Sequence, residues 1–190
     1  VAGALSDKIG RKKLIAIGMI IFSFSELLFG LAQAKTGFYI SRALGGVAAA
    51  MLMPSVTAYV ADMTTIAERP KAMGLVSAAI SGGFIIGPGV GGFIAHFGIR
   101  VPFYVAAILA FLGFILTITI LKEPERKIES HQEIEKVSFL DILKNPLFGS
   151  LFIIILISSF GLQAFESIYS IMASINFGFS MSEIALVITV

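Results

Sequence analysis

Long apolar runs alternate with short polar turns along this chain of 190 residues. Five runs are each long enough, at about 20 apolar residues, to cross the hydrocarbon core of a bilayer as a helix. They cover approximately residues 14–34, 38–61, 74–97, 103–121 and 147–174. The chain opens at the tail of another apolar segment and stops inside one that begins at Glu183. We therefore interpret it as a fragment of a longer membrane protein.

The third run is rich in glycine. Gly and Pro destabilise a helix in water, but in a membrane the neighbouring helices can satisfy the freed backbone groups. Small residues recur here at every fourth position, which places them on one helical face where another backbone can approach closely. Pro88 is predicted to bend the helix. The small residues are Ala79, Gly83, Gly87, Gly91 and Ala95.

The same segment contains a G-x-G-x-x-G pattern at residues 87–92. A dinucleotide site built on that pattern needs a preceding strand and an acidic residue about 20 positions later. The apolar run is continuous here, and no Asp or Glu occurs between Glu68 and Glu123. We therefore reject a nucleotide site.

The composition agrees with a membrane protein and excludes several kinds of site. Hydrophobic residues make up 57% of the chain and charged residues only 14%, whereas a typical soluble domain is about 25% charged. There is no cysteine, which excludes disulfides and thiol chemistry. The sequence has no phosphate-binding loop, no H-E-x-x-H metal motif and no G-x-S-x-G nucleophile motif. We expect no cofactor, no metal, no enzymatic activity and no nucleic-acid partner.

The basic residues indicate the orientation. Eleven of the fourteen Lys and Arg residues lie in three alternate loops, within residues 8–13, 69–71 and 122–144. The positive-inside rule places these loops in the cytoplasm. In the third and longest loop, Ser138 and Asp141 match a helix capping box. We predict a short helix there along the membrane surface, ended by Asn145-Pro146.

Charged groups inside the spans are costly and are candidates for function. Glu166 is the strongest candidate, because it lies on a polar stripe along an otherwise apolar helix and aromatic residues flank it. A carboxylate in such a place can bind a proton or a cation. The structural alternative is a protonated Glu that is simply hydrogen-bonded to a neighbouring helix. The stripe consists of Ser159, Gln163, Glu166 and Ser170, and the flanking aromatic residues are Phe160, Phe165 and Tyr169.

Three further charged residues lie in or at the ends of spans. Arg42 is predicted about one turn into the second span; it cannot lose its charge and must meet water, carbonyl groups or an acid. Its structural alternative is that the side chain reaches back to the external surface. Glu26 lies in the middle of the first span, where a functional role and a satisfied polar contact are equally open. Asp62 is predicted at a cytoplasmic helix end, where it can pair with a basic loop.

Three motifs resemble those of a known family. Residues 3–12 resemble the loop motif G-x-L-[AS]-D-[RK]-x-G-R-[RK] of the major facilitator superfamily. Residues 83–92 resemble G-x-x-x-G-P-x-x-G-G, the fifth-helix motif of its drug/proton antiporter branch, at every fixed position. Residues 42–46 resemble the fourth-helix motif R-x-x-Q-G, with Gly45 in the glutamine position. Across nearly the whole chain, and most closely at residues 158–166, the sequence looks like the NorA- and Bmr-type multidrug efflux proteins.

The resemblance implies an all-α, polytopic transmembrane bundle of twelve helices in two pseudo-symmetric halves, with the substrate between them. This chain would hold the end of family helix two, helices three to seven and the start of helix eight. Residues 1–121 would belong to the first half, 122–146 to a cytoplasmic linker and 147–190 to the second half. The antiporter motif would pack against the other half through Gly83, Gly87, Pro88, Gly91 and Gly92.

The resemblance also implies roles for single residues. Arg42 carries over as the proton-transfer arginine, and Glu166 as the seventh-helix acid that binds drug and proton. A cytoplasmic charge cluster of Asp7, Arg11 and Asp62 would favour one conformation. The loop motif that holds this cluster also contains Gly3 and Gly10.

The function predicted on this basis is proton-driven export of amphipathic, often cationic, drugs by alternating access. The expected setting is a multi-pass position in the cytoplasmic membrane, with protons and the lipid bilayer as further partners and a monomeric full-length protein. One alternative is an exporter of a single specific metabolite. A second alternative is a non-transporting membrane receptor or scaffold that retains the fold.

Overall fold

The computed structural model describes residues 9–124, 145–180, 183, 184 and 187. The described parts of the chain are helical and contain no strand. The five long helices are α1 (Arg11–Leu31), α2 (Lys35–Met63), α3 (Arg69–Ala95), α4 (Val101–Ile120) and α5 (Pro146–Phe177). Each is long and apolar enough to cross a membrane. The predicted all-α fold with five complete spans is therefore confirmed.

The helix ends differ from the predicted ends by up to five residues. α3, for example, begins at Arg69 rather than near Gly74, and α5 continues to Phe177 rather than ending near Ser174. Every helix begins one to five residues before its apolar run, because the helix starts in the polar flank that precedes the run. Proline stands in the first turn of α3, α4 and α5, where its missing N–H costs nothing.

Close contacts divide the chain into two compact units, one containing α1–α4 and the other containing α5. In the first unit, α1 packs extensively against both α2 and α4. The start of α1 contacts the end of α2 through Arg11 and Asp62. The end of α1 contacts the start of α4, where the Tyr104 hydroxyl donates to the Gly30 carbonyl at 3.0 Å. α1 is therefore antiparallel to both of its neighbours.

Small and hydroxylic residues bring these three helices together. The Ser23 hydroxyl donates to the Ala107 carbonyl of α4 at 2.8 Å, and both groups are buried. A side chain at Gly30 would lie 2.6 Å from the Tyr104 ring, so glycine is needed for this close approach. Hydrogen bonds and close packing are the forces that hold helices together in a bilayer, since lipid tails are as apolar as the side chains.

α3 packs much less. It touches α2 and α4 only lightly, and in its most apolar stretch no residue is buried, compared with 39% of the corresponding stretch of α1. The helix runs continuously through Pro88. Most of the surface of α3 is therefore left uncovered by the unit to which it belongs.

α5 begins at a clear cap. The Asn145 side chain accepts a hydrogen bond from the Leu147 backbone N–H at 3.0 Å, and Pro146 occupies the first turn. The helix ends at Gly178, whose φ of +66° is left-handed, a common helix stop. Asn145-Pro146 thus starts α5, whereas the predicted surface helix before it lies outside the described residues.

Candidate functional site

An acid and an arginine face each other across the interface between α1 and α2. The Arg42 Nη1 lies 3.9 Å from the Glu26 Oε1. The Glu26 side chain is 10% exposed, whereas that of Arg42 is 62% exposed. The carboxylate is thus enclosed by its own bundle while the guanidinium lies at the bundle surface.

Arg42 lies deeper in its helix than the sequence indicated. α2 begins at Lys35 rather than near Phe38, so Arg42 is about two turns, or about 10 Å, from the helix start. The helix starts before the predicted span because its first residues were assigned to the polar turn. At this depth the guanidinium contacts groups on α1.

One of these groups is an aromatic ring. The Arg42 Cζ lies 4.3 Å from the centroid of the Phe29 ring, within the range of a cation–π interaction. The ring is held from two other sides, by Phe38 of α2 at a centroid distance of 4.9 Å and by Phe103 of α4 at 4.4 Å. Three helices therefore fix the ring on which Arg42 lies.

A short hydrogen bond sets the spacing of α1 and α2 beside the charged pair. The Ser25 hydroxyl donates to the Ser41 carbonyl at 2.7 Å, and both residues are buried. A β-carbon at Gly45 would lie 3.0 Å from the Ser25 Oγ. Glycine in the glutamine position of the family motif thus leaves room for the serine hydroxyl. Because Ser25 precedes Glu26 and Ser41 precedes Arg42, this contact positions the pair.

A second charged pair lies at the other end of these helices. The Arg11 Nε is 3.0 Å from the Asp62 Oδ2, so the structure brings together two of the three residues of the predicted charge cluster. Gly10, just before α1, has a φ of +106°, and a β-carbon there would lie 2.6 Å from the Glu123 Oε1. The other two residues of this motif, Gly3 and Asp7, lie outside the described residues.

Three of the four glycines at fixed positions of the antiporter motif have open space beside them on α3. In the described structure nothing outside the local helix backbone lies within 4 Å of where a β-carbon would stand on Gly83, Gly87 or Gly91. Gly92 is buried, and Pro88 is partly exposed. The small-residue face is thus open within its own unit, and large apolar side chains such as Phe84 and Phe93 flank it.

The predicted polar stripe lies on α5, in the second unit. Its four positions follow one another by four, three and four residues in a continuous helix, so they share one face. The rings of Phe165 and Tyr169 stack at a centroid distance of 6.0 Å. Phe160 is 75% exposed within this unit. Gln163 is exposed as well, and the side chain of Glu166 lies outside the described part of the structure.

The whole length of the chain, residues 1–190, matches the family pattern described as Major Facilitator Superfamily. The chain belongs to this superfamily. The resemblance stated from the sequence motifs is thereby confirmed. Together with the five candidate spans, the match makes the chain part of a multi-pass membrane protein.

Several bacterial resistance proteins are similar to the chain. It is 50% identical over 195 residues to Multidrug resistance protein 2 of Bacillus subtilis, and 52% identical over 191 residues to Multidrug resistance protein 1 of the same organism. Each alignment covers all of this chain and 49% of the relative. Quinolone resistance protein NorA of Staphylococcus aureus is 38% identical over 187 residues, which are 98% of this chain and 48% of NorA. The chain thus spans about half the length of these curated relatives.

Sequence reasoning missed part of this arrangement. Phe29 was not singled out, although it lies three residues after Glu26 and therefore on the same side of α1. Two local contacts between a hydroxyl residue and a Glu three positions later were also missed, although this spacing is visible in the sequence. They are Thr65 with Glu68 and Ser180 with Glu183.

These two contacts have an electrostatic consequence outside the five long helices. The Glu68 Oε2 accepts hydrogen bonds from the Thr65 hydroxyl at 2.7 Å and from the Thr65 backbone N–H at 3.3 Å. These bonds lower the pKa of the Glu68 carboxyl. The Glu183 Oε2 accepts from the Ser180 backbone N–H and hydroxyl, each at 2.8 Å, which lowers the pKa of the Glu183 carboxyl.

Proposed function

We propose that the full-length protein containing this chain is a proton-coupled antiporter, which exports amphipathic, often cationic, drugs across the cytoplasmic membrane by alternating access. The observation that carries the proposal is the alignment of the entire chain with two Bacillus subtilis proteins named for multidrug resistance. The sequence has no phosphate-binding loop, which favours an ion gradient as the energy source. The protein is then a secondary active transporter and not an enzyme, and it works as a monomer.

Glu166 is the proposed exchange group for proton and drug. A carboxylate in a low-dielectric site binds either a proton or a cation, and binding of one lowers its affinity for the other. A drug arriving from the cytoplasm displaces the proton, and external protons later displace the drug. The stacked rings of Phe165 and Tyr169 supply an aromatic wall, which suits flat or cationic ligands. Gln163 and Phe160 complete the proposed drug contacts on this helix.

Arg42 and Glu26 are the proposed proton-coupling pair of the first unit. Their side chains meet at 3.9 Å across α1 and α2, at a depth where charged groups are costly unless they are used or paired. The Arg42 guanidinium lowers the free energy of the ionised Glu26 carboxylate. When the guanidinium moves away, the carboxylate therefore binds a proton more readily.

The cytoplasmic contact between Arg11 and Asp62 is the proposed conformational switch. It connects two helix ends at 3.0 Å and is partly exposed, so it can break without loss of the bundle core. Asp7, Gly3 and Gly10 belong to the same proposed switch loop. In alternating access the contact holds in one state and opens in the other.

The uncovered face of α3 is the proposed contact with the other half of the transporter. Its glycines have open space beside them in this unit, as a surface needs if another backbone is to approach. Under this proposal residues 1–121 belong to one half, 122–146 to a cytoplasmic linker and 147–190 to the other half.

Export and coupling can be tested with the full-length protein in proteoliposomes. We expect an imposed pH gradient to drive transport of a monocationic dye. Glu166→Gln keeps the shape and hydrogen bonding of the side chain but fixes it in a neutral state, so it should abolish coupled transport. Glu166→Asp should retain part of it. Ser150→Ala, on the same helix but about 160° around it from Glu166, is the control and should transport normally.

Two results would contradict the proposal at different levels. If the wild-type protein moves no cationic dye under a pH gradient, it is not an exporter of this kind. If the glutamine variant transports at the wild-type rate with unchanged pH dependence, Glu166 is structural and the coupling acid lies elsewhere.

A further inference from the structure

We propose that the Glu26 carboxylate and the Phe29 ring form a binding site for an organic cation, and that the Arg42 side chain occupies this site in the present conformation. The proposal rests on the proposed function for its class of ligand. It adds a second cation site, in the α1–α4 unit, to the one assigned to Glu166.

The chemistry of the site is that of organic-cation recognition. Such ligands are held by a carboxylate together with an aromatic face. Arg42 makes both contacts, at 3.9 Å to the Glu26 Oε1 and 4.3 Å to the Phe29 ring centroid. Its guanidinium is itself a flat organic cation. The contacts that hold Arg42 are thus the ones that a cationic drug would make.

The acid and the ring are fixed by packing. Glu26 is one residue after Ser25, whose hydroxyl is bonded to the Ser41 carbonyl at 2.7 Å. The Phe29 ring lies between the rings of Phe38 and Phe103. Glu26 is itself buried, at 8% exposure, so packing within the α1–α4 unit surrounds both the acid and the ring.

Arg42, by contrast, is held weakly. Its side chain is 62% exposed, and 3.9 Å to the carboxylate oxygen exceeds hydrogen-bond length. Within the described parts of the chain, the guanidinium has the ion pair and the ring contact but no hydrogen bond. Its long stem allows it to move away while the acid and the ring stay in place.

The Arg42 side chain and a cationic ligand compete for the same site. A ligand that binds only when Arg42 has left shows an affinity reduced by the fraction of time for which the site is free. Removing the guanidinium should therefore tighten cation binding. The occupant also leaves the site with no net charge, so its removal exposes the full negative charge of Glu26 to a ligand.

The experiment measures equilibrium binding of tetraphenylphosphonium to the full-length protein in lipid nanodiscs, at one pH and without a gradient. All variants carry Glu166→Gln, so that the proposed α5 acid does not contribute charge. Arg42→Met keeps a long apolar stem and should tighten binding about tenfold, the effect of an occupant that fills the site about nine-tenths of the time. Adding Glu26→Gln should abolish this gain.

The Phe29 ring is tested in protein that carries Glu166→Gln and retains Arg42 and Glu26. Phe29→Leu should weaken binding about threefold to tenfold, and Phe29→Trp, which keeps an aromatic face, should not. Phe24→Leu is the matched control: Phe24 lies on the same helix, is 57% exposed and should have no effect on binding. An unchanged affinity in Arg42→Met, or a gain that survives Glu26→Gln, overturns the proposal.

If Arg42→Met does not yield folded protein, Glu26→Gln and Phe29→Leu are compared with arginine in place. Each should weaken tetraphenylphosphonium binding, and the proposal fails if neither does. The outcome is separate from that of the export proposal, because binding is measured without transport. Glu26-dependent binding without export would contradict only the export proposal. Export without Glu26-dependent binding would contradict only the second cation site.

Discussion

The Arg11 Nε lies 3.0 Å from the Asp62 Oδ2 and ties the start of α1 to the end of α2. The two side chains are 20% and 40% exposed. A pair of this exposure contributes about 0.2–1 kcal/mol, which is small beside the packing of α1 against its neighbours. It is large enough, however, to shift two conformations of nearly equal free energy. The size of this contribution is consistent with the proposed switch role, in which the contact would shift the balance between conformations and leave the fold intact.

Asp62→Asn should change the ratio of inward-open to outward-open protein by roughly 1.4-fold to fivefold. The thermal unfolding midpoint should change little, because the pair contributes only about 0.2–1 kcal/mol. Since the chain has no cysteine, single cysteines added at the two ends of the bundle can report the ratio by labelling. Asp62→Glu, which keeps the charge, is the control. Equal labelling of the asparagine variant and the wild type would contradict the proposed role of the Arg11–Asp62 contact as a conformational switch.

Gly30→Val should destabilise the bundle by about 1–3 kcal/mol through overpacking. The new side chain would enter the space of the Tyr104 ring, 2.6 Å from the β-carbon position, and break the hydrogen bond from the Tyr104 hydroxyl to the Gly30 carbonyl. Gly46→Val on α2 is the control, since nothing in the described structure lies within 4 Å of that position. Thermal unfolding of the two variants measures the difference, and equal midpoints would contradict the assigned contact.

Gly87→Leu should abolish transport while the protein remains folded in the membrane. Within its own unit the position is open, so the substitution costs that unit nothing. A loss of transport then reports an element outside the unit that must approach α3, where a branched side chain costs about 1–3 kcal/mol. Gly74→Leu lies on the same helix and is also open, but about 140° around it, and should transport normally. Normal efflux from the Gly87 variant would argue against a helix packed on this face.

The sequence pattern predicted the helices well and the pairing of their side chains less well. Hydrophobic runs locate spans because a bilayer demands about 20 apolar residues in each helix. Arg42 and Glu26 were both recognised as costly charges, yet their pairing was not predicted. Pairing depends on the register of α1 against α2, which is set by the contact between Ser25 and Ser41. Helical periodicity indicates the face on which a residue lies but not the residue that it meets on the next helix.

Thr65→Val should raise the pKa of the Glu68 carboxyl towards its ordinary value. The Thr65 hydroxyl is the main cause of the lowered pKa, and the backbone N–H of the same residue is the second, so the shift should be partly retained. Ionised Glu68 stabilises this turn above the ordinary carboxyl pKa of about 4.3, and the stabilisation is lost as the pH falls through the lowered pKa of the folded state.

The Glu68 pKa can be followed by ¹³C NMR titration of its side-chain carboxyl. Thr64→Val is the control, because the Thr64 hydroxyl donates to the Val60 carbonyl at 2.7 Å and not to Glu68. An unchanged Glu68 pKa in the Thr65 variant, or an equal change in the Thr64 variant, would contradict the assigned cause.

Gly10→Ala should be destabilising, and two separable effects contribute. The backbone at Gly10 has a φ of +106° and a ψ of 144°, a region nearly reserved for glycine, where a side chain costs about 1–3 kcal/mol. The new β-carbon would also lie 2.6 Å from the Glu123 Oε1, but that oxygen ends a flexible side chain and can move away. The backbone effect should therefore dominate. Glu123→Ala alone should leave the thermal unfolding midpoint nearly unchanged, and combined with Gly10→Ala it should restore little of the loss. Recovery of wild-type stability in the double variant would instead make the Glu123 contact the principal reason that residue 10 is glycine.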